Sequence, residues 1–201
     1  MMSIKTDIVK GWVKVLPFYL FTLLTLFASC KEEDDTVQEY ADWQAKNEAY
    51  FEEQYQAHAV NSSRSFIIKK VSLPDTLSLS KASHTDCVLV DVLEEGDGGV
   101  SPLLTDTVEV HYRGWLIPSP SYPAGYQFDS SYTDVFDPDV AVPSSFAVNG
   151  VVEGFATALQ HMHRGDYWRV TIPYQLGYGT ADYSSLPAYS TLIFNIRLED
   201  F

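Results

Sequence analysis

Three stretches of this sequence alternate apolar and polar side chains with a strict period of two, which lays each of them down as a half-buried strand. Val108, Val110 and Tyr112 alternate with Glu109, His111 and Arg113; Trp168, Val170 and Ile172 oppose Tyr167, Arg169 and Thr171; Leu192, Phe194, Ile196 and Leu198 oppose Ile193, Asn195 and Arg197. Between the first and second, Val151, Val152, Phe155, Ala158, Leu159 and Met162 form an apolar stripe at helical intervals, closed by Arg164-Gly165. Several strands with one buried face and one short helix to cover it predict an α+β layer in which the sheet wraps the helix. No repeat and no phosphate-binding glycine motif interrupts that pattern.

Upstream, residues 36–60 lack Pro and Gly and place Tyr40, Trp43, Tyr50, Phe51 and Tyr55 at roughly helical spacing, which predicts one amphipathic helix ended by Asn61-Ser62-Ser63. Its aromatic stripe is expected to pack on the main domain or on a second copy. From 64 to 105 the signals are weaker: Phe66-Ile67-Ile68 reads as a short strand, Leu73-Pro74-Asp75 as a turn, and Cys87 to Leu93 as a strand.

The first thirty residues have a different character. Lys5, Lys10 and Lys14 precede an apolar run, Leu16 to Ala28, of 13 residues that ends in Ala28-Ser29-Cys30. A helix needs ~20 apolar residues to cross a ~30 Å hydrocarbon core, so this is read as a signal peptide rather than a span. The small residues before Cys30 resemble a lipoprotein lipobox, with Phe27 where leucine is usual, and imply an acylated Cys30; the alternative is an uncleaved anchor. Removing residues 1–29 takes three lysines and one aspartate from 13 basic and 27 acidic residues, leaving 10 against 26. Such a charge disfavours nucleic acid, because phosphate neutralisation needs clustered Lys and Arg, and it leaves the acyl chains as the membrane attachment. The run Lys31-Glu32-Glu33-Asp34-Asp35 resembles a surface-export tag or is a solvated tether, so the expected location is an outer-membrane lipoprotein facing periplasm or cell surface. Cys87 is the only other cysteine, so no intrachain disulfide is available once Cys30 is acylated.

Five blocks in order carry a family resemblance. They are Val110-His111-Tyr112-Arg113-Gly114-Trp115-Leu116; Phe128-Asp129-Ser130-Ser131; Gly150-Val151-Val152-Glu153-Gly154-Phe155; Gly165-Asp166 through Thr171-Ile172-Pro173; and Leu176-Gly177-Tyr178-Gly179 followed by Leu186-Pro187-Ala188-Tyr189-Ser190-Thr191-Leu192-Ile193-Phe194. In this order they resemble the signatures of FK506-binding protein (FKBP) domains, over about residues 106–201. The resemblance implies an FKBP-like antiparallel half-barrel wrapped around one short helix, with an N-terminal helical extension. It divides the chain into a signal peptide (1–29), a lipidated tether and helix (30–60), a connecting segment (61–85) and an isomerase domain (86–201).

By the same resemblance the chain is a peptidyl-prolyl cis-trans isomerase acting on proline-containing exported polypeptides, with no cofactor, and its ligands include macrolides of the FK506 and rapamycin type. Tyr112, Phe128, Asp129, Tyr178 and Phe194 would carry the reaction, with Phe146, Val151, Val152 and Leu186 as further walls and Phe155 as the floor. A non-catalytic chaperone or surface binding module using the same pocket is the competing reading, since a fold alone does not assign function. His111 belongs to the first block but points away from the pocket face, and a structural hydrogen bond is expected of it. His161 and His163 form an H-x-H pair at a helix end with no second ligand cluster in the sequence, which disfavours a metal site.

Two insertions depart from the family pattern. One is Ile117-Pro118-Ser119-Pro120-Ser121-Tyr122-Pro123-Ala124-Gly125; the other lies between Ser131 and Phe146, where Asp134, Asp137 and Asp139 suggest turn initiation, or calcium as the alternative. Both are expected to flank the pocket and select substrate. Phe155 stands where many relatives carry tryptophan, which implies weaker macrolide binding.

Overall fold

The computed structural model describes residues 37–201 apart from 61 and 134, so the leader, Cys30 and the acidic run lie outside the described residues, as does Asp134. No described helix is long and apolar enough to cross a membrane. Helix α1 (Trp43–His58) is followed by β1 (Ser65–Lys69), β2 (Cys87–Glu94), β3 (Thr107–Leu116), β4 (Gln127–Ser130), β5 (Ser144–Ala147), helix α2 (Glu153–Leu159), β6 (Tyr167–Ile172) and β7 (Leu192–Asp200). The seven strands form one antiparallel sheet in the order β1-β2-β6-β7-β3-β4, with β5 on β3 beside β4. This is the α+β half-barrel expected, and residues 37–201 form one compact unit. The division drawn at residue 86 falls inside that unit, because β1 pairs with β2 from Ser65↔Asp91 to Lys69↔Cys87.

The inward set of each strand is the apolar set of its alternation. Val108, Val110, Trp168, Val170, Ile172, Leu192, Ile196 and Leu198 are buried around Phe155, Ala158 and Leu159 of α2. The helix lies close to the sheet because Gly154 has no side chain: a Cβ there would sit 2.2 Å from Ile172 Cγ2. α2 is shorter than its stripe. Val151 and Val152 lead into it in extended conformation, and after Leu159 the chain tightens, with Met162 N donating to both Ala158 O and Leu159 O. Met162 is nevertheless fully buried.

Helix α1 covers the outer face of the sheet at β1 and β2, which is why Cys87 and Leu89 are buried although they alternate away from α2. Its buried residues are Trp43, Asn47, Phe51 and His58, so two polar side chains stand in the stripe that its aromatics announced. Tyr40, Tyr50 and Tyr55 are not in that buried set.

His58 illustrates how such a residue is satisfied. Its Nδ1 donates to the Gln54 carbonyl at 2.7 Å, which turns Nε2 toward Asp91 Oδ1 at 3.2 Å, an ion-pair contact rather than an aligned hydrogen bond. A neutral ring would oppose a lone pair to the carboxylate. Contact with Asp91 therefore raises the His58 pKa against the effect of burial, and His58 lowers that of Asp91. A raised histidine pKa stabilises the fold fully below the unfolded value of about 6.5 and ceases to do so as pH rises through the folded one; a lowered aspartate pKa stabilises fully above about 3.9 and ceases as pH falls through the folded one. The melting-temperature difference between wild type and Asp91→Asn is therefore expected to be largest between about pH 4 and 6.5 and to shrink on both sides; a difference independent of pH would contradict it.

Candidate active site

Gly114, near the C-terminal end of β3, is paired with Phe194 on β7 and with Asp129 on β4. A Cβ at Gly114 would lie 2.6 Å from Phe194 Cε1 and 2.7 Å from Phe128 Cζ, so the missing side chain makes room for two rings. The register shifts between Gly114 and Trp115, a bulge that leaves Phe128, next to Asp129, as the extra residue before pairing resumes at Trp115↔Gln127. Beside it lies a cavity of about 240 Å³, lined by Tyr112, Asp129, Phe146, Gly150, Val151, Val152, Phe155, Tyr178, Tyr183 and Phe194.

The cavity walls are rings set edge to face. Phe155 and Phe194 meet at 5.1 Å and 87°, Tyr112 and Phe155 at 6.1 Å and 86°, Tyr112 and Phe146 at 5.6 Å and 61°. Such geometry suits the ring quadrupoles and fixes each ring against its neighbour. Phe155, 4% exposed, comes up from α2 beneath the others. The Tyr112 hydroxyl donates to Asp129 Oδ2 at 2.8 Å, and Asp129 Oδ1 accepts the Ser130 N–H at 2.8 Å. Burial first, then the Asp129 carboxylate, pushes the Tyr112 pKa far above its ordinary value, so this hydroxyl keeps its proton at neutral pH. Tyr178 also has a raised pKa, from burial first and then from Tyr183 and Asp129.

Eight of the ten residues expected to form the pocket line this cavity. Phe128 and Leu186 do not. Phe128 stands behind the wall, its ring edge to face with Phe194 at 5.4 Å, and Leu186 is buried in the core within residues 177–191, the closing segment that brings Tyr178 and Tyr183 to the cavity. Tyr183 was not anticipated: its ring stacks on Tyr178 at 4.2 Å and 10°. It sits in a polar stretch, Thr180 to Ser185, with no periodicity to single it out.

The insertions lie elsewhere than expected, for none of their described residues lines the cavity. The first folds into a tight turn, Ser119 and Tyr122 exchanging backbone bonds, and binds the Glu39 carboxylate through Ser119 Oγ and the Ser121 N–H. The second runs over the outer face of the sheet. Phe136 and Tyr132 pack against His111 at 4.9 and 6.4 Å, while the Arg113 guanidinium lies 4.4 Å over Tyr132 and that of Arg197 5.6 Å over Phe136. His111 is thereby 5% exposed, and its Nδ1 has no hydrogen-bond partner among the described residues. Burial lowers its pKa, as does Arg197, with Glu199 opposing. Asp137 Oδ1 accepts the Asp139 N–H at 3.0 Å, a turn-forming contact.

The family pattern of the FKBP-type peptidyl-prolyl cis-trans isomerases matches residues 98–199. The macrophage infectivity potentiator of Trypanosoma cruzi is 33% identical over 180 residues, covering 89% of this chain and 80% of that protein. An Escherichia coli FKBP-type 22 kDa peptidyl-prolyl cis-trans isomerase is 40% identical over 108 residues, which are 53% of this chain and 46% of the relative. The crystal structure of FkpA from Escherichia coli superposes with a TM-score of 0.56 at 25% identity, covering 98% of this chain and 73% of that one. The chain belongs to the FKBP-type peptidyl-prolyl cis-trans isomerase family. It spans most of the trypanosome relative but less than half of the 22 kDa enzyme.

Proposed function

We propose that this protein accelerates cis-trans exchange of Xaa-Pro bonds in exported polypeptides by holding the proline and the twisting amide in the aromatic cavity. The observation that carries this reading is the composition of the walls: rings and valines throughout, with polar side-chain atoms only at Asp129 and the Tyr112, Tyr178 and Tyr183 hydroxyls. Rotating an Xaa-Pro amide breaks its conjugation, against a peptide barrier of about 18–20 kcal/mol, and takes tens to hundreds of seconds unassisted. The twisted amide is less polar than the planar one. A cavity that replaces water by ring faces therefore binds the twisted state better than the ground state, and that difference is the acceleration. No bond to a nucleophile forms.

In this reading Phe155 is the floor on which the proline ring rests, with Tyr112, Phe146, Val151, Val152 and Phe194 as walls. Phe128 backs Phe194, and Leu186 supports the closing segment. Tyr178 donates a hydrogen bond to a substrate carbonyl, which its retained proton permits. Asp129 fixes Tyr112 and borders the carbonyl, without acid-base work. Macrolides of the FK506 and rapamycin type would compete for the same cavity, more weakly for having Phe155 as the floor. Acylation at Cys30 would tether the domain to the outer membrane, facing periplasm or cell surface.

Two experiments test these assignments. Titration of a proline peptide is expected to shift the NMR signals of Tyr112, Val152, Phe155 and Tyr178 while leaving those of His111 and Phe136 in place; the reverse pattern would move the site to the outer face. Labelled palmitate is expected in the wild type and absent from Cys30→Ala, and incorporation in both would remove the anchor.

A further inference from the structure

A buried polar seam that the cavity chemistry does not use joins α1 to the segment closing the cavity. Asn47 is completely buried. Its Oδ1 accepts the Thr191 N–H at 2.7 Å and its Nδ2 donates to Trp43 O at 2.8 Å. One turn earlier, Trp43 Nε1 donates to Ser190 Oγ at 2.9 Å, and that hydroxyl donates in turn to Pro187 O at 2.7 Å. The helix thus grips residues 187–191 from two successive turns. Those residues are the return arm of the cavity's closing segment. Leu186 and Tyr183 exchange backbone bonds of 2.9 and 3.0 Å, the Tyr189 N–H donates to Gly179 O at 2.9 Å, and Tyr183 stacks on Tyr178. Ser184 and Tyr189 hold φ of 53° and 64°, a conformation that side-chain-bearing residues keep only where their surroundings impose it.

We propose that α1 is a positioning element of the active site: Trp43 and Asn47 hold the return arm, and through Leu186 and Tyr183 they hold Tyr178 over the cavity. This rests on the isomerase reading given above. A helix serving only as a spacer has no use for a buried amide, which is costly unless it is hydrogen-bonded; at Asn47 the side-chain oxygen and nitrogen each have a partner, and the oxygen's partner is in the arm. The first turns of the amphipathic helix are thereby part of the catalytic unit, and the hold of Trp43 and Asn47 on the arm decides how firmly it closes on substrate.

The test compares full-length wild type with Trp43→Phe, which keeps an aromatic side chain but removes the donor, and with Ser190→Ala, which removes the relay without touching the helix. Asp91→Asn, which loosens the far end of α1, is the control for general destabilisation. Measured where all four are folded, Trp43→Phe and Ser190→Ala are expected to raise KM for an Xaa-Pro peptide roughly three- to tenfold and to speed hydrogen exchange at the Tyr183, Leu186 and Tyr189 amides, while Asp91→Asn changes neither. Unchanged KM and exchange in folded Ser190→Ala would overturn the proposal, as would an equal response in Asp91→Asn. A wild type without isomerase activity would refute the isomerase reading instead, and the exchange measurement would still decide whether α1 holds the arm.

Discussion

Phe194→Ala is expected to cost about 3–5 kcal/mol of stability, the range for truncating a buried aromatic side chain, and to remove nearly all acceleration of Xaa-Pro exchange. The ring is 5% exposed and touches those of Phe155, Phe128 and Tyr112, at 5.1, 5.4 and 6.3 Å. Its strand is paired on both sides, Phe194 with Gly114 and with Val170. Gly114 has no side chain with which to refill the space, and the backbone is held by two ladders, so little of the cavity left behind can collapse. For a chain of this size the loss corresponds to a fall in melting temperature of roughly 6–20 °C. Phe194→Leu separates fold from function, since a similar apolar volume costs less than about 1.5 kcal/mol while the flat wall facing the cavity is lost. Melting curves and peptide exchange rates on both variants check the expectation.

Asp129→Val is expected to lower kcat/KM by about 10- to 100-fold, the scale of effect when a reacting geometry slips by about 1 Å, while leaving the fold nearly intact. Asp129 is exposed, so the core does not depend on it. Its function is to accept the Tyr112 hydroxyl, which is in the wall and otherwise 8% exposed. Without that acceptor a buried hydroxyl is left unpaired, at about 1–3 kcal/mol, and relieves this by turning the ring or admitting water. Either change spoils a cavity that acts by shape and dryness. Melting temperature and kcat/KM measured on the same preparation distinguish this from unfolding.

The strands that carry the site were legible because each buries one face: the alternation through Val108, Val110 and Tyr112, and through Leu192 to Leu198, is a one-dimensional record of that burial. Ser144–Ala147 left no such record. It is four residues long, follows an insertion, and is a strand only because β3 offers it an edge. Seven of the eight cavity residues lie in the family blocks and Phe146 was carried over by the same resemblance, whereas periodicity by itself reads Tyr112 and Phe194 as ordinary core. Asn47 and His58 were missed for a more general reason: a polar residue within a helical pattern reads as solvent-facing, and what buries them, the Thr191 N–H and Asp91, comes from other elements. The second insertion was placed beside the pocket because its ends flank Ser131 and Phe146; its aromatics instead cover His111 and Arg197 on the outer face, a preference that alternation on β3 and β7 hints at only once the loop is seen.

The central claim is that the aromatic cavity turns over Xaa-Pro bonds. NMR exchange spectroscopy of a proline peptide with a catalytic amount of the full-length protein measures this directly. Interconversion of the cis and trans signals is expected to quicken from the unassisted tens to hundreds of seconds to the seconds range or faster, to slow again on saturation with an FK506-type macrolide, and to be largely lost in Phe194→Ala. Exchange at the unassisted rate in the presence of folded wild-type protein would contradict the account.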